Sequence, residues 1–197
     1  MEIREFEYES RAMLTLSQYT NILSYFFNTF YNNHKKSFIE NEYYDTDSLD
    51  IFNNKFMLRV RLNEDSFDLT LKIPLEEEKG DLEIHQFLNE GEYLNLKNNS
   101  VFPNGQIKEE LIQNNINISK IRYQTTLYCV RYEFLIDECT IVLDKNKYGR
   151  ITDYNIEIES DSYLKSQEKN LELSKTFKYL LKENYQTKYI RALTNKD

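Results

Sequence analysis

Apolar and charged residues alternate along seven short segments of the chain, so that every second residue has the same character. A period of two is typical of β-strands with one apolar and one polar face, because successive side chains of a strand point to opposite sides. The segments are 3–13, 56–62, 66–73, 81–88, 126–136, 139–144 and 151–160. The sequence therefore predicts seven strands, and the turn-forming residues 146–149 predict a turn between the last two.

Three other segments have the three-to-four spacing of apolar residues that is typical of helices. Thr15 and Gln18 form a Thr-x-x-Gln capping box, and an apolar stripe follows from 19 to 30. Residues 107–114 predict a short helix and residues 162–183 a long one. The inward residues predicted for the long helix are Leu164, Leu171, Phe177, Leu180 and Leu181. The order β-α-β-β-β-α-β-β-β-α predicts an α+β fold: a mainly antiparallel sheet or barrel with helices packed outside.

The polar faces of the predicted strands are strongly ionic, and their charges are sorted by strand. Along the chain, the residues that share these faces are Glu5, Glu7, Glu9 and Arg11; Arg59 and Arg61; Asp68, Thr70 and Lys72; Glu83 and His85; Arg131 and Glu133; Asp144; and Asn155, Glu157 and Glu159. Periodicity alone does not decide whether such a face contacts solvent or lines an interior. A solvated face with cross-strand ion pairs is the simpler alternative.

Two observations favour an interior. Like charges two residues apart repel unless something is bound between them, and the opposite faces are apolar enough to be covered by the helices. A closed sheet of about eight strands encloses one small ligand. Metal-bound polyphosphate suits such a lining, because carboxylate oxygens bind Mg²⁺ or Mn²⁺ and arginine side chains bind phosphate oxygens.

Composition narrows the classes of function. The chain has 197 residues and a formal net charge of −8, which disfavours binding to nucleic acid. Its four glycines do not supply a P-loop or a dinucleotide fingerprint, and there is no His-Glu-x-x-His motif. No signal peptide or apolar run of membrane-spanning length is present, and the two cysteines do not form a disulfide framework. We therefore expect a cytoplasmic protein that does not bind membranes.

The motifs on the charged strands, taken in order, resemble those of the CYTH superfamily, also called triphosphate tunnel metalloenzymes. Glu7-x-Glu9-x-Arg11 is similar to the N-terminal Glu-x-Glu-x-Lys signature of that family, with arginine in place of lysine. The further matching segments are 42–47, Arg59-x-Arg61, Thr70-x-Lys72, Glu83, Arg131, 142–144 with Lys147, Glu157-x-Glu159, and Lys188 with Arg191. The layout is most similar to the bacterial inorganic triphosphatase-like branch.

The resemblance implies one CYTH-like tunnel domain over 1–197, a closed or nearly closed eight-stranded barrel, and a role for each matching residue. Phosphate binding is expected of Arg59, Arg61, Lys72, Arg131, Lys147, Lys188 and Arg191. Ligation of Mg²⁺ or Mn²⁺ is expected of Glu7, Glu9, Glu157 and Glu159. A catalytic role is expected of Arg11, Glu83 and Asp144. Glu5 is expected at the periphery and His85 at the rim or as a hydrogen-bonded partner.

The expected activity is metal-dependent hydrolysis of inorganic triphosphate, a short polyphosphate or a nucleoside triphosphate. The alternatives within the family are thiamine triphosphate hydrolysis and the cyclisation catalysed by class IV adenylate cyclases. From a different class, a non-catalytic module that binds polyphosphate or nucleotide remains open, because an arginine at position 11 keeps the charge but does not readily release its proton. The oligomeric state stays open, with a homodimer as one option.

Overall fold

The predicted strands are present, and an additional one, β2, joins them. The computed structural model describes residues 2–30, 33–63, 66–75, 80–181 and 186–195. The strands are β1 (Glu2–Leu14), β2 (His34–Asp45), β3 (Met57–Asn63), β4 (Ser66–Leu75), β5 (Gly80–Leu88), β6 (Arg122–Ile136), β7 (Cys139–Tyr148) and β8 (Ile151–Ser160). They form a closed barrel in the order β1-β5-β4-β3-β2-β6-β7-β8. Pairs such as β3–β4 and β7–β8 are antiparallel, and the predicted fold class is confirmed.

Six α-helices accompany the strands in the described part of the chain. They are α1 (Leu16–Thr29), α2 (Asp50–Asn53), α3 (Glu90–Asn99), α4 (Gln106–Gln113), α5 (Tyr163–Phe177) and α6 (Lys188–Thr194), with a 3₁₀ turn at Ile118–Lys120. The predicted capping box of α1 is confirmed, since the Thr15 hydroxyl accepts from the Gln18 amide and the Gln18 side chain accepts from the Thr15 amide. None of the helices that the structure describes has the length and apolar character that a membrane crossing requires.

The described residues fall into two compact units. The first comprises those within 2–6, 40–75 and 81–127, and the second those within 7–39, 128–195 and residue 80. In the first unit, the apolar faces of β3 and β4 pack against α3 and α4. Cross-strand pairs such as Leu58–Leu71 and Val60–Leu69 are fully buried there with Leu96.

The second unit has its own apolar cluster. Ile141 and Ile158 face each other across β7 and β8, and Leu143 faces Ile156 in the same way. These side chains are buried beneath α1 and α5, with Phe26 of α1 among them. Because the side chains of a strand alternate, packing these apolar residues under helices places the charged residues of β7 and β8 on the opposite face.

The prediction of the buried face of the long helix is wrong for its four leucines and is confirmed for Phe177, which packs against the apolar cluster of the second unit. Leu164 and Leu171 are 70 % and 45 % exposed, and α5 ends at Phe177, so Leu180 and Leu181 are not part of it. Residues 182–183 of the predicted helix lie outside the described residues. The buried residues of α5 are Ser166, Asn170, Leu173 and Ser174. The Asn170 side chain donates to the Ser10 hydroxyl at 2.8 Å and accepts from Tyr179 at 2.7 Å, so hydrogen bonds fix this face together with the single buried leucine, Leu173.

A buried carboxylate connects α3 to β2 in the first unit. Glu42 is 1 % exposed and accepts hydrogen bonds from Tyr44 at 2.8 Å, Tyr93 at 3.2 Å and Lys97 at 2.5 Å. Burial lowers the pKa of Lys97, but the hydrogen bonds to Glu42 and Tyr93 outweigh it and raise the pKa above its usual value. The side chains of Tyr44, Tyr93 and Lys97 therefore supply hydrogen-bond donors to a carboxylate inside an otherwise apolar contact.

We expect Lys97→Met to lower the free energy of unfolding by about 1–2 kcal/mol, because Glu42 keeps two hydroxyl donors but loses its counter-charge. The value is below that of a fully buried pair, since the Lys97 side chain is 37 % exposed and partly screened by solvent. Urea unfolding of the variant measures the change. Adding Glu42→Gln should recover part of the loss, and a double variant that is as unstable as the two single changes combined would contradict this explanation.

Candidate functional site

The charged face of the first unit is built from cross-strand rows on β2, β3 and β4. Arg61 lies opposite Asn41 on β2 and Asp68 on β4, and its Nε donates to the Asn41 side-chain oxygen at 3.1 Å. Arg59 lies opposite Thr70 on β4, in the next row. The structure thus places the two predicted arginines side by side on the face opposite the leucine cluster.

Glu83 of β5 lies among cations on this face. Its Oε2 is 3.6 Å from the Arg59 guanidinium, and its Oε1 is 3.2 Å from Lys72 Nζ, which also contacts Asp81 at 3.1 Å. Burial raises the pKa of Glu83, but Arg59, His85 and Lys72 outweigh it and hold the pKa well below its usual range. A carboxylate with such a low pKa is a poor proton acceptor, so Glu83 is better suited to orienting cations than to acting as a general base.

His85 lies on the same face, as predicted, and has a carboxylate at each ring nitrogen. Its Nδ1 is 3.0 Å from Asp68 Oδ2, and its Nε2 is 3.2 Å from Glu83 Oε2 and 3.6 Å from Glu5 Oε1. Burial lowers the pKa of His85, but the hydrogen bonds to Asp68 and Glu83 outweigh it and raise the pKa to about 9. Glu5 is exposed, in keeping with its expected peripheral position.

Arg59 has an unsatisfied donor. Its Nε is buried, and within the described ranges no atom accepts a hydrogen bond from it. A buried N–H without an acceptor costs about 1–3 kcal/mol, and the cost is larger for a charged group. An anion that supplied an oxygen at this position would remove that cost.

The second unit presents a denser charged face on β6, β7 and β8. The guanidinium of Arg131 donates to both oxygens of Asp144 at 2.9 Å and to Glu157 at 3.0 Å, and it lies 3.8 Å from Glu159. Burial lowers the pKa of Arg131, but the charges of Asp144 and Glu157 outweigh burial and raise the pKa above its usual value. Asp144 is 0 % exposed. Burial raises the pKa of Asp144, but Arg131 and Lys188 outweigh it and hold the pKa far below its usual range.

Helix α6 adds two cations to this face. The Thr187 hydroxyl caps the helix by accepting from the Ile190 amide, so Lys188 stands at its first position. Lys188 Nζ donates to both oxygens of Glu157 at 2.9 and 2.8 Å and contacts Asp144 at 2.5 Å. Arg191, one turn later and 5 % exposed, donates to Asp153 at 2.6 Å. The structure therefore brings Lys188 together with Arg131, Asp144 and Glu157, and Arg191 with the neighbouring residues of β8.

The four predicted metal ligands lie on two strands of the second unit. Glu9 of β1 is directly opposite Glu159 of β8, and Arg11 is opposite Glu157. Arg11 forms an ion pair with Glu9. Burial raises the pKa of Glu159 to about 7; Arg131 partly offsets this, while Glu157 and Glu9 add to it. Glu7 is half-buried and, by alternation, shares the face of Glu9.

The structure does not bring Lys147 to this face. Strand β7 continues to Tyr148, so the predicted turn at 146–149 is wrong for its first three residues. Alternation then places Lys147 with Lys145 on an exposed side, whereas Asp144 and Asn146 are buried on the other. Lys147 is therefore poorly placed to bind phosphate beside Asp144.

Because the predicted β7 ended at residue 144, a polar cluster at the end of the strand was not predicted. Asn146 donates to Asp153 at 3.0 Å and to Asn155 at 2.7 Å, and the Tyr148 hydroxyl donates to Asp153 at 2.5 Å. Asp153 and Asn155 in turn accept hydrogen bonds from Arg191 at 2.6 and 3.2 Å. Extending the alternation from Asp144 to the two polar or aromatic residues at 146 and 148 was the signal that could have identified them.

Comparison with known proteins identifies relatives of this arrangement. The family model of the CYTH domain matches residues 5–189. The chain is 35 % identical over 159 residues to "Putative triphosphatase YjbK" of Bacillus subtilis (strain 168), which covers 80 % of this chain and 78 % of that protein. Among solved structures, one from Bacillus halodurans described as a "putative adenylate cyclase" has a TM-score of 0.86 at 26 % identity, covering 95 % of this chain and 97 % of that chain.

A second solved structure is more distant in sequence. It is the "Putative adenylyl cyclase HpAC1" from Hippeastrum, described as having "a dominant triphophatase activity". Its TM-score is 0.76 at 18 % identity, and the match covers 100 % of this chain and 97 % of that one. At this identity the likeness concerns the fold alone. The resemblance that the charged strands suggested is confirmed by the match over residues 5–189 and by the relative from Bacillus subtilis: the chain belongs to the CYTH family.

Proposed function

We propose that the protein is a metal-dependent triphosphatase, which hydrolyses a phosphoanhydride bond of inorganic triphosphate, a short polyphosphate or a nucleoside triphosphate. The observation that carries the proposal is the buried Nε of Arg59, which has no hydrogen-bond acceptor among the described residues. Phosphate oxygens are the acceptors that fit an arginine best, because they accept charge-assisted hydrogen bonds in a matching geometry. The relative named as a triphosphatase supports the same class of substrate.

We assign phosphate binding to Arg59, Arg61 and Lys72 in the first unit and to Arg131, Lys188 and Arg191 in the second. Several of these cations form ion pairs with carboxylates. When substrate binds, each would give up some of its carboxylate contacts and contact substrate oxygens instead. The pairing with carboxylates orders the cations before the substrate arrives, and cations ordered in this way stabilise charge that develops on a transferred phosphoryl group. Lys147 is left out of the assignment because of its position on β7.

The carboxylates of the second unit fit a hard divalent cation. Glu9 and Glu159 face each other directly across β1 and β8, where like charges repel unless a cation lies between them. All four side chains, Glu7, Glu9, Glu157 and Glu159, offer the carboxylate oxygens that Mg²⁺ and Mn²⁺ prefer. A bound ion would supply charge neutralisation of the phosphates and activation of water.

The three predicted catalytic residues receive more specific roles. Asp144 and Glu83 are ionised and form ion pairs, so we propose that both position cations. Asp144 orients Arg131 and Lys188. Glu83 orients Lys72 and Arg59. Arg11 pairs with Glu9, and we propose that it supplies a permanent positive charge near the predicted metal ligands. We do not assign a general base to any of them.

We further propose that residues 1–197 work as one functional domain in the cytoplasm on a small-molecule substrate. Cys129 and Cys139 are both buried and free, which agrees with a reducing compartment.

A substrate panel tests the proposal. Phosphate release should be measured with tripolyphosphate, ATP and thiamine triphosphate, each with Mg²⁺, with Mn²⁺ and with EDTA, and cyclic AMP should be measured in the ATP reactions. We expect release from tripolyphosphate that requires the metal. Cyclic AMP as the main product would assign the chain to the cyclases instead. Micromolar binding without turnover of any substrate would show that the protein is a binding module and not a hydrolase.

A further inference from the structure

His85, which we expected at the rim or as a hydrogen-bonded partner, has a carboxylate at each of its ring nitrogens. Asp68 lies at Nδ1, while Glu83 and, at a longer distance, Glu5 lie at Nε2. The Thr70 hydroxyl is 3.3 Å from Nδ1. The neighbouring cations contact the carboxylates: Lys72 and Arg59 approach Glu83.

The contacts of the two ring nitrogens favour a charged His85 on geometric grounds. A neutral imidazole has one N–H donor, so one of its nitrogens would direct a lone pair at a carboxylate oxygen. An imidazolium has two donors and satisfies Asp68 and Glu83 at once, at 3.0 and 3.2 Å. The raised pKa of His85, about 9, agrees with this protonation state.

The consequence for phosphate binding lies in Glu83. Its Oε2 is closer to His85, at 3.2 Å, than to Arg59, at 3.6 Å, so the imidazolium competes with the guanidinium for that oxygen. Without the positive charge of His85, Oε2 would have Arg59 as its remaining close cation. The two would then pair more tightly, and the guanidinium would bind a substrate anion less readily.

We propose that protonated His85 is a positioning residue for anion binding: by holding Glu83 and Asp68, it keeps the guanidinium of Arg59 available to a phosphate oxygen. The inference rests on the proposed function in naming phosphate as the anion. It adds to that function a dependence on pH, because deprotonation of His85 would release Glu83 to Arg59.

The charge of His85 can be read without any activity. The chain has two histidines, so ¹⁵N–¹H correlation spectra of the imidazole groups, with His34→Gln to assign the signals, report both tautomer and charge. We expect both nitrogens of His85 to be protonated at pH 7 and to titrate well above an ordinary histidine, and Glu83→Gln to lower the titration midpoint. A neutral His85 at pH 7 would overturn the inference.

Kinetics then test the consequence. His85→Gln should raise the KM for tripolyphosphate about tenfold or more at pH 7 with a smaller effect on kcat. His85→Lys, which keeps a cation, should restore most of the affinity. In the wild-type protein KM should rise between pH 8 and 10, and this rise should be absent from His85→Lys. His34→Gln is the matched control and should behave as wild type.

The outcomes separate the two claims. If the wild-type protein hydrolyses tripolyphosphate and His85→Gln has the same KM at pH 7 and pH 9, the role of His85 is wrong and the proposed function stands. If the wild-type protein neither hydrolyses nor binds tripolyphosphate, the proposed function fails, and the consequence drawn for phosphate binding fails with it. If His85→Gln does not fold, calorimetric binding of tripolyphosphate to the wild-type protein at pH 7 and pH 10 decides, and equal affinities would contradict the inference.

Discussion

Replacement of Arg131 by methionine should lower the free energy of unfolding by about 3–5 kcal/mol and abolish triphosphate hydrolysis. The guanidinium contacts Asp144, Glu157 and Glu159, and the first of these is fully buried. Removing one partner of a buried ion pair is more costly than removing both, because the remaining charge loses its compensation. Here Lys188 would remain as the one cation that the structure shows in contact with both Asp144 and Glu157.

Chemical unfolding of wild type and Arg131→Met at pH 7 measures the effect. Arg150→Met serves as the matched control, since it removes the same charge from an exposed residue. Adding Asp144→Asn to Arg131→Met should restore part of the stability, because one uncompensated carboxylate is removed. A loss below about 1 kcal/mol for the single variant would show that solvent screens the cluster, and the buried character of this face would have to be revised.

Arg59→Ala should weaken the binding of tripolyphosphate by about 2–4 kcal/mol, which corresponds to roughly 30- to 1000-fold in affinity. The effect on stability should be much smaller than that of Arg131→Met, because Glu83 keeps Lys72 and His85 as partners. Arg59→Lys should recover only part of the affinity, since lysine restores the charge but not the donor at Nε.

Calorimetry in EDTA measures binding without turnover, and KM in Mg²⁺ measures it during turnover. Arg150→Ala is again the control for the removal of one positive charge. An unchanged affinity for Arg59→Ala would mean that the orphaned Nε does not contact the substrate, and the observation that carries the proposed function would lose its force.

The sequence was most informative where alternation was regular. β8 begins and ends at the predicted residues, and the charged faces of β3 and β4 were identified correctly because both strands carry an apolar residue at every second position. β2 was missed because its first half is charged and its last residues, 41–45, are buried on both faces, so no period of two is visible. For α3, Tyr93, Leu94 and Leu96 are too close together to show a helical period, although the capping box at Asn89 and Glu92 was available.

Within the candidate site, periodicity indicated which residues share a face but not which residues meet. Nothing in the order of the chain indicates that Lys188 contacts Glu157, 31 positions earlier. That contact depends on where α6 lies. The prediction of the buried face of α5 failed for a related reason. The apolar pattern depends on leucine, whereas Asn170 holds the helix through hydrogen bonds to Ser10 and Tyr179. Small polar residues that pack closely carry no hydrophobic period.

The difference in polarity between the two faces of β7 and β8 around Asp144 also bears on how the chain avoids misassembly. In the observed register, Asp144 faces Asn155 and Leu143 faces Ile156. A slip of one residue would move every side chain of one strand to the other face and place a carboxylate among the aliphatic residues beneath α1 and α5. An ionised group in such surroundings costs several kcal/mol, so nearby registers are excluded by energy as well as by shape. The residues that we assign to chemistry therefore also select, during folding, the one strand pairing that the barrel tolerates.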